Sequence, residues 1–242
     1  MKVIRCKNYE EASRTAGKII SEAISAKPEL VLGLATGSSP IGIYQNLIQD
    51  YKNNEITFEK VKTYNLDEYV GLNRESPQSY YYFMNENLFD HIDIKKENVH
   101  IPYADPDQLE ESCKQYSKQL DQIVVDIQLL GIGANGHIGF NEPKTPFDQK
   151  TFIVNLTEKT REDNKRFFNS LDEVPTKAIT MGIAEIMKAK KIILIATGKN
   201  KAEAMKRLLS NEVTTDFPAS ALHLHKDVVV VTDEEALSLV NC

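Results

Sequence analysis

The stretch from Leu129 to Pro143, LLGIGANGHIGFNEP, brings together side chains that could move protons. The imidazole of His137 titrates near neutral pH, and Glu142, five residues later, could hold it in one tautomer. Three glycines would let backbone N–H groups approach a bound molecule: Gly131, Gly133 and Gly136. A lone histidine after a strand is more often an ordinary loop residue. The surrounding polar groups are what make proton transfer a real candidate here.

A second candidate site follows the apolar run from Leu30 to Ala35, which is typical of a strand buried on both faces. The next residues are small or carry hydroxyl groups: Thr36, Gly37, Ser38 and Ser39. A helix is predicted to start near Pro40, so backbone N–H groups and the positive end of the helix dipole favour an anion at this turn. The pattern is neither GxGxxG nor a Walker loop, so a phosphate on a small molecule fits better than a nucleotide. An ordinary capped turn is the alternative.

Two adjacent carboxylates, Asp67 and Glu68, follow the predicted strand from Val61 to Leu66. Side chains alternate along a strand, so we expect only one of the two to face a cleft, and alternation does not say which. A carboxylate at this position could act as a base, bind a hydroxyl group, or simply cap a helix or form a salt bridge.

The tripeptide Ala-Thr-Gly occurs at Ala35–Gly37 and again at Ala196–Gly198, each time between a predicted strand and a predicted helix. The second copy is followed by Lys199 and Lys201. A lysine on such a loop supplies a point charge for phosphate.

Periodicity predicts alternating strands and helices along the whole chain. Helices are predicted at residues 8–26, 41–52, 76–91, 106–122, 157–169 and 202–210, with a short one at the end of the chain. Strands are predicted at residues 30–35, 61–66, 123–131, 152–156, 178–181, 192–196, 222–224 and 228–232. This alternation predicts an α/β fold with a mostly parallel central sheet flanked by helices. The polar helix at 157–169 could be a mobile cover, and we expect a lid segment at about 157–187, although a solvated surface helix is the default.

Four predicted strands end in polar or glycine-rich loops, near Thr36, near Asp67, at 133–142 and at 198–201. In a parallel sheet these loops lie at the same edge. The sequence therefore predicts a small-molecule active site in which hydroxyls and cations bind an anion beside a carboxylate and an imidazole.

The composition narrows the classes of partner and compartment. The formal net charge is −6 and the pI is about 5.5, which argues against nucleic acid as the main partner. The apolar runs are far shorter than the roughly 18 residues that span a bilayer, and the first residues lack a signal-peptide core, so we expect no membrane association and a cytoplasmic protein. No linker-like segment interrupts the chain, which favours a single domain over residues 1–242.

Metal binding has little support from the sequence. The three cysteines stand far apart, as expected for reduced thiols rather than a structural zinc site: Cys6, Cys113 and Cys242. His223 and His225 could ligate a metal from a strand, but no acidic or cysteine cluster accompanies them, and we interpret them as part of a structural strand.

Several segments together closely resemble the glucosamine-6-phosphate deaminase family, also called glucosamine-6-phosphate isomerases. The segments, in order, are LGLATGSSP, NLDEYVGL, SYYYFMNENLFDHIDI, LLGIGANGHIGFNEP and FPASALHLH. The resemblance implies a Rossmann-like sheet and the conversion of glucosamine 6-phosphate and water to fructose 6-phosphate and ammonia, a step of amino sugar catabolism. It implies a small-molecule phosphosugar as the partner, with no cofactor and no metal ion.

The resemblance also implies roles for individual residues. Asp67 corresponds to the base for enolisation, His137 to the group that opens the sugar ring, and Glu142 to the carboxylate that partners this histidine. Asn135 corresponds to the third member of the ring-opening group. The substrate, chiefly its phosphate, is expected to be held by Thr36, Gly37, Ser38, Ser39, Gly136, Arg166 and Lys201.

The chain departs from the family pattern at two places. Many members have an aspartate at the position of Asn135, and we expect His137 to remain competent with Glu142 alone. Members activated by N-acetylglucosamine 6-phosphate have basic residues at the positions of Phe152 and Val154. An apolar pair cannot bind phosphate, so we expect no such activation and a monomer or small homo-oligomer rather than a hexamer.

Two alternatives stay open at this point. A phosphosugar lactonase or pentose phosphate isomerase would keep the phosphate loops but would not need Asp67, His137 and Glu142 together. A sugar-phosphate-sensing regulator would need a DNA-binding segment, and the predicted helix at 8–26 is neither basic nor paired with a recognition helix.

Overall fold

The computed structural model describes residues 1–240, in which ten strands and seven α-helices alternate. The strands are β1 Lys2–Cys6, β2 Val31–Leu34, β3 Lys62–Asn65, β4 Asp67–Tyr69, β5 Val99–His100, β6 Ile127–Leu130, β7 Phe152–Asn155, β8 Lys177–Thr180, β9 Lys191–Ala196 and β10 Val228–Asp233. The helices are α1 Tyr9–Ala26, α2 Ile41–Lys52, α3 Tyr80–Asn87, α4 Leu109–Asp121, α5 Glu158–Asn164, α6 Ile183–Ile186 and α7 Ala202–Leu208. Short 3₁₀ helices lie at Phe89–His91, Lys96–Asn98, Lys165–Phe167, Lys199–Lys201 and Pro218–Leu224.

Seven strands form a parallel sheet in the order β1-β10-β9-β6-β2-β3-β5. Side chains alternate between its two faces, so Ile193 and Ile195 of β9 pack on the side of α1 and α2, whereas Ile192 and Leu194 pack on the side of α4 and α7. Burial on both faces explains why the central strands are continuous apolar runs. The predicted mostly parallel sheet flanked by helices is confirmed.

A second sheet of three antiparallel strands, in the order β4-β8-β7, adjoins the first. Leu66 joins the two sheets, because it separates β3 from β4 by a single residue. Its N–H donates to the carbonyl of Leu34 in the parallel sheet, and its own carbonyl accepts from the N–H of Met181 just after β8. Asp67, the first residue of β4, therefore lies at the seam between the two sheets.

Local capping fixes the ends of the helices that lead to this edge. The side chain of Asn8 accepts a hydrogen bond from the N–H of Glu11 at the start of α1. The hydroxyl of Ser79 accepts one from the N–H of Tyr82, so α3 begins at Tyr80, four residues after the start of the predicted helix at residues 76–91.

Several elements differ from the sequence predictions, and β4, β5 and α6 were not predicted. The edge strand β1 was not predicted, because its residues are mostly exposed and give no buried apolar run. The strand predicted at 222–224 is wrong, since these residues belong to the 3₁₀ helix Pro218–Leu224 and their short apolar spacing does not distinguish the two. Residues 234–239 form turns rather than the short helix expected near the chain end. The predicted strand 123–131 is ordered as β6 over a shorter span.

The predicted lid segment, 157–187, is helical only in part. It begins with α5 and a 3₁₀ turn at Lys165–Phe167, and then continues into β8 and α6, which are buried. In the part of the chain that the structure describes, no helix has the length and apolarity needed to cross a membrane.

Candidate active site

A cavity of about 380 Å³ opens at the carboxyl edge of the parallel sheet, where the four polar loops meet. Seven of the residues singled out from the sequence line it: Thr36, Ser38, Ser39, Asp67, His137, Arg166 and Lys201. A larger cavity of about 500 Å³ lies elsewhere, beside the edge strand β5, and none of the predicted site residues lines it. The candidate site is therefore identified by the polar and titratable side chains that line it together, and not by the volume of the cavity.

The two adjacent carboxylates face different ways, as alternation predicts. Asp67 lines the cavity, whereas Glu68 accepts hydrogen bonds at 2.8–2.9 Å from the backbone N–H groups of Tyr69, Tyr80 and Tyr81. Glu68 thus caps α3 and locks the register of β4, and Asp67 is the one that could act as a base.

Burial gives Asp67 the properties of a base. The side chain is buried, which raises its pKa well above the ordinary value, and the neighbouring charge of Glu68 adds to this rise. A carboxylate that is poorly solvated binds a proton more strongly, so it abstracts one from carbon more readily.

The imidazole of His137 lies directly over the backbone of Gly133. A Cβ at position 133 would lie 2.3 Å from Cε1 of His137, so only glycine fits beneath the ring. Burial lowers the pKa of His137; Glu142 opposes this, Lys201 adds to it, and Asp163 opposes it. The ring is therefore neutral at neutral pH and able both to accept and to donate a proton.

Glu142 lies behind His137 and is held on both of its oxygens. Oε2 accepts from the side-chain amide of Asn135 at 2.8 Å and lies 3.9 Å from Nδ1 of His137, longer than a hydrogen bond. Oε1 accepts from the hydroxyls of Thr160 and Thr157, the latter at 3.3 Å. Nδ1 of His137 is buried and has no hydrogen-bond partner, so the carboxylate acts on the imidazole through its charge in this arrangement.

Asn135 connects the loop to this carboxylate. Its amide nitrogen donates to Glu142, and its carbonyl oxygen accepts from the backbone N–H of His137 at 3.2 Å. An ionised aspartate at this position could not donate to Glu142, so the amide suits a buried carboxylate better than a second negative charge.

The opposite end of the cavity is lined with hydroxyls and cations. Ser38 and Ser39 come from the turn between β2 and α2, where Gly37 has a φ of 88°. Nη2 of Arg166 donates to Oγ of Ser38 at 3.3 Å, which draws the segment after α5 onto this turn. The positive φ explains the glycine at position 37, because L side chains avoid this conformation.

Lys201 supplies a second cation from the loop after β9. Its Nζ donates to the backbone carbonyl of Ile132 at 2.8 Å, so the ammonium is anchored beside the central loop. Burial lowers the pKa of Lys201, the charge of Arg166 lowers it further, and Asp163 opposes this. Two cations that destabilise each other in this way form a site for a dianion such as a phosphate.

Four of the predicted site residues do not line the cavity: Gly37, Asn135, Gly136 and Glu142. Asn135 and Glu142 stand behind His137. Gly136 has a φ of 85° and packs against the ring of Phe217, which a Cβ would approach to 2.1 Å. Its part in the structure is therefore to let the loop pass Phe217.

Sequence reasoning missed several lining residues. Tyr80 is partly buried and lines the cavity, with its hydroxyl 3.3 Å from that of Tyr69. Lys159, Thr160, Asp163 and Asn164 come from the polar helix that was expected to cover the site. The polar character of this helix was a sequence signal for residues that line a site, but spacing alone does not show which of them face the cavity.

Arg161, on the same helix, does not line the cavity. Its guanidinium donates to the backbone carbonyls of Leu171 and Val174, so it fixes the fold of the lid segment itself.

Phe152 and Val154 pack in the core of the second sheet, next to Phe140 and Tyr69.

The interpretation of His223 and His225 as strand residues is wrong. His223 lies in the 3₁₀ helix Pro218–Leu224, and its ring contacts the carbonyl of Leu208 at 2.6 Å. His225 follows this helix and contacts the carbonyl of Ala189 at 2.7 Å. Both are structural, and no metal-binding group of three or more His, Cys, Asp or Glu side chains occurs within residues 1–240.

Comparison with known proteins agrees with this geometry. Residues 7–231 match the family model described as glucosamine-6-phosphate isomerases/6-phosphogluconolactonase. The chain is 56% identical over 241 residues to a glucosamine-6-phosphate deaminase of Thermoanaerobacter sp. (strain X514), covering 99% of this chain and 95% of that protein. It is 53% identical over 239 residues to one of Clostridium botulinum (strain Langeland), covering 98% of each chain.

Solved structures give the same result. A monomeric glucosamine-6-phosphate deaminase superposes with a TM-score of 0.97 at 50% identity, covering 99% of this chain and 100% of that one. The 6-phosphogluconolactonase of Trypanosoma brucei has a TM-score of 0.82 at 20% identity, covering 99% of this chain and 98% of that one, so the likeness is one of fold alone. This chain therefore belongs to the family of glucosamine-6-phosphate isomerases and 6-phosphogluconolactonases.

Proposed function

We propose that the protein is a glucosamine-6-phosphate deaminase, which converts glucosamine 6-phosphate and water to fructose 6-phosphate and ammonia in amino sugar catabolism. One observation carries the proposal: a buried carboxylate, a neutral imidazole and a pair of cations line the same cavity of about 380 Å³. Aldose–ketose isomerisation needs the first two, and a phosphosugar needs the third.

Ring opening is the first task. The proton of the C1 hydroxyl must leave and the ring oxygen must gain one, and neutral His137 can do both in turn. Transient positive charge on the imidazole is stabilised by Glu142, whose Oε2 lies 3.9 Å from Nδ1.

Isomerisation follows on the open chain. Asp67 takes the proton from C2 and returns it at C1, which leaves an imine at C2. Water adds to this imine and ammonia departs, giving the ketone of fructose 6-phosphate. The burial that raises the pKa of Asp67 supports this role, because it lowers the cost of the first transfer.

The phosphate end acts as a handle. Ser38, Arg166 and Lys201 would bind the phosphate together with Thr36, Ser39 and the backbone of Gly37. Binding energy from this unreacting group can fix the sugar over Asp67. Gly136 would contribute only by shaping the loop that carries His137.

We further propose that residues 1–242 form one domain that acts in the cytoplasm as a monomer or small homo-oligomer, with no nucleic-acid or membrane partner. The formal net charge of −6 supports the exclusion of nucleic acid. The apolar side chains of Phe152, which is partly buried, and of Val154, which is buried, support the absence of activation by N-acetylglucosamine 6-phosphate.

The deciding assay incubates the purified protein with glucosamine 6-phosphate and measures ammonia and fructose 6-phosphate together. We expect both products in a ratio of one to one, because each turnover releases one of each. A phosphogluconolactone serves as the comparison substrate. Rapid lactone hydrolysis without release of ammonia from the amino sugar would replace the proposed function by the lactonase alternative.

A further inference from the structure

The carboxylate of Glu142 is buried without a strong cationic partner. Within residues 1–240, the only ion-pair contact recorded for it is the 3.9 Å approach of His137, and no Lys or Arg lies within salt-bridge distance. Its orientation is therefore set by neutral donors, which are the amide of Asn135 on one oxygen and two threonine hydroxyls on the other. A buried carboxylate held in this way depends on its principal donors for its orientation.

Both hydroxyls come from the first turn of α5. Thr157 is the N-cap, because its Oγ1 accepts from the N–H of Thr160 at 3.2 Å. Thr160 stands at the third position of the helix, where a Glu or Gln would normally reach back to the N-cap. Its hydroxyl instead donates to Oε1 of Glu142, and the side chain is only 2% exposed.

The two hydroxyls are not equivalent. A hydroxyl has one proton to donate, and that of Thr157 lies 3.0 Å from Oγ1 of Thr160 and 3.3 Å from Oε1 of Glu142. Thr160 is thus the principal donor to Oε1. With Oε1 fixed, Oε2 is left facing Asn135 and Nδ1 of His137.

We propose that Thr160 is a positioning residue for ring opening, which holds the carboxylate of Glu142 toward His137 from the helix that covers the cavity. The inference rests on the proposed function. It gives the lid segment a chemical part besides shielding, because the helix that precedes Arg166 also completes the ring-opening group.

The test compares Thr160→Val, which removes the hydroxyl at nearly constant volume, with the wild type on glucosamine 6-phosphate. We expect kcat to fall about 10- to 100-fold, the range typical when the partner that orients a catalytic histidine is lost. Glucitol 6-phosphate has no ring to open, so its inhibition constant should stay within about twofold. Thr160→Ser should restore kcat to within about threefold, and Thr160→Cys, a weaker donor, should lie in between.

Thr151→Val is the matched control. Thr151 donates to Oε2 of Glu185 at 2.6 Å, and both members of this Thr–Glu pair are buried, as Thr160 and Glu142 are, but neither lines the cavity. Thr151→Val should lower the free energy of unfolding in urea by about as much as Thr160→Val does, while its kcat remains within about twofold of the wild type.

Deuterium at C2 of the substrate identifies the step that is slowed. If ring opening is impaired, the isotope effect on kcat/KM in Thr160→Val is no larger than in the wild type. A larger isotope effect would place the loss at Asp67 and overturn the proposal. An equal loss of kcat in Thr151→Val, or undiminished kcat in Thr160→Val and Thr160→Cys, would overturn it too. None of these outcomes contradicts the proposed function as long as the wild type releases ammonia from glucosamine 6-phosphate. An inactive wild type would contradict both the proposed function and the role of Thr160.

Discussion

The two ends of the cavity are built differently. At the end near His137, the side chains of Asp67, Glu142 and Thr160 are buried, and Glu142 has hydrogen-bond donors on both oxygens. At the end near Ser38, the groups are more exposed, and their contacts are long or made to the backbone, such as the 3.3 Å contact from Arg166 and the 2.8 Å contact from Lys201 to Ile132. In the proposed function, the chemistry takes place at the first, buried end, called here the dry end, and the phosphate binds at the second, more exposed end, called the wet end.

This contrast has a physical reason. Desolvation raises the pKa of the carboxylate of Asp67, which makes it a stronger base, and lowers the pKa of His137, which keeps the imidazole neutral. Cations that bind phosphate gain from exposure, because they must reach a charged ligand and keep spare donors for it. Damage to the dry end should reduce turnover, and damage to the wet end should reduce affinity.

The largest effect is expected at the dry end. Asp67→Asn removes the base without changing shape, and kcat should fall by about 10³-fold or more, since general base catalysis commonly contributes up to about 10⁴-fold. Binding of glucitol 6-phosphate should persist. In the wild type, kcat/KM should fall with decreasing pH below the raised pKa of Asp67, because only the ionised carboxylate takes a proton. Near-native turnover in the variant would place the base elsewhere.

At the wet end, Lys201→Gln should lower kcat/KM about 10- to 100-fold, mostly through KM, as expected for loss of one charged hydrogen bond to phosphate. Lys199→Gln is the control, because Lys199 is exposed and does not line the cavity. If the two variants lost equal affinity, the effect would be one of general charge and not of a built site.

The substitution Asp67→Asn should lower activity but raise the stability of the fold. Burial raises its pKa above the value of about 3.9 in the unfolded chain, so its contribution to stability is complete below that value and is lost as pH rises through the folded-state pKa. Asp67→Asn should therefore raise the free energy of unfolding at pH 7 by roughly 1 to 3 kcal/mol, with a smaller gain near pH 4. Urea unfolding at both pH values measures this difference.

Asp121→Asn is the comparison for that measurement. Hydrogen bonds from Lys150 and Lys188 lower the pKa of Asp121 to about 2, so its contribution is present above the unfolded-state pKa and is lost as pH falls through the lowered one. This variant should lose stability at pH 7. A gain at both positions would refute the argument from burial.

The smallest effect is expected for Asn135→Asp, which adds a charge at the dry end without removing a catalytic group. An aspartate keeps an acceptor for the N–H of His137, and Thr160 still holds Oε1 of Glu142, so kcat at the optimum should stay within about threefold. The added charge should raise the pKa of His137, so the part of the acidic limb of kcat/KM that reports on this imidazole, beside the part that reports on Asp67, should move to higher pH. An unchanged pH profile would mean that the acidic limb does not report on His137.

Much of this site could be predicted because strand ends carry the chemistry. Apolar runs located β2, β6 and β9, and parallel pairing then placed Thr36, His137 and Lys201 at one edge. The antiparallel sheet was missed because β4 is only three residues long and follows β3 after a single residue, so the two resemble one strand. Thr160 was missed because its partner, Glu142, lies 18 residues away and no periodicity links a hydroxyl to a distant carboxylate.

The single residue Leu66 between β3 and β4 also limits which insertions the chain can accept. Its two backbone hydrogen bonds tie Asp67 and Glu68 to a fixed phase of the pleat, and Glu68 is pinned in turn by α3. A one-residue insertion between β3 and β4 would reverse the directions of the two carboxylates. Glu68 would then face the cavity, and Asp67 would face the start of α3. Surface loops can accept extra residues, but the junction between β3 and β4 cannot accept a change in its number of residues.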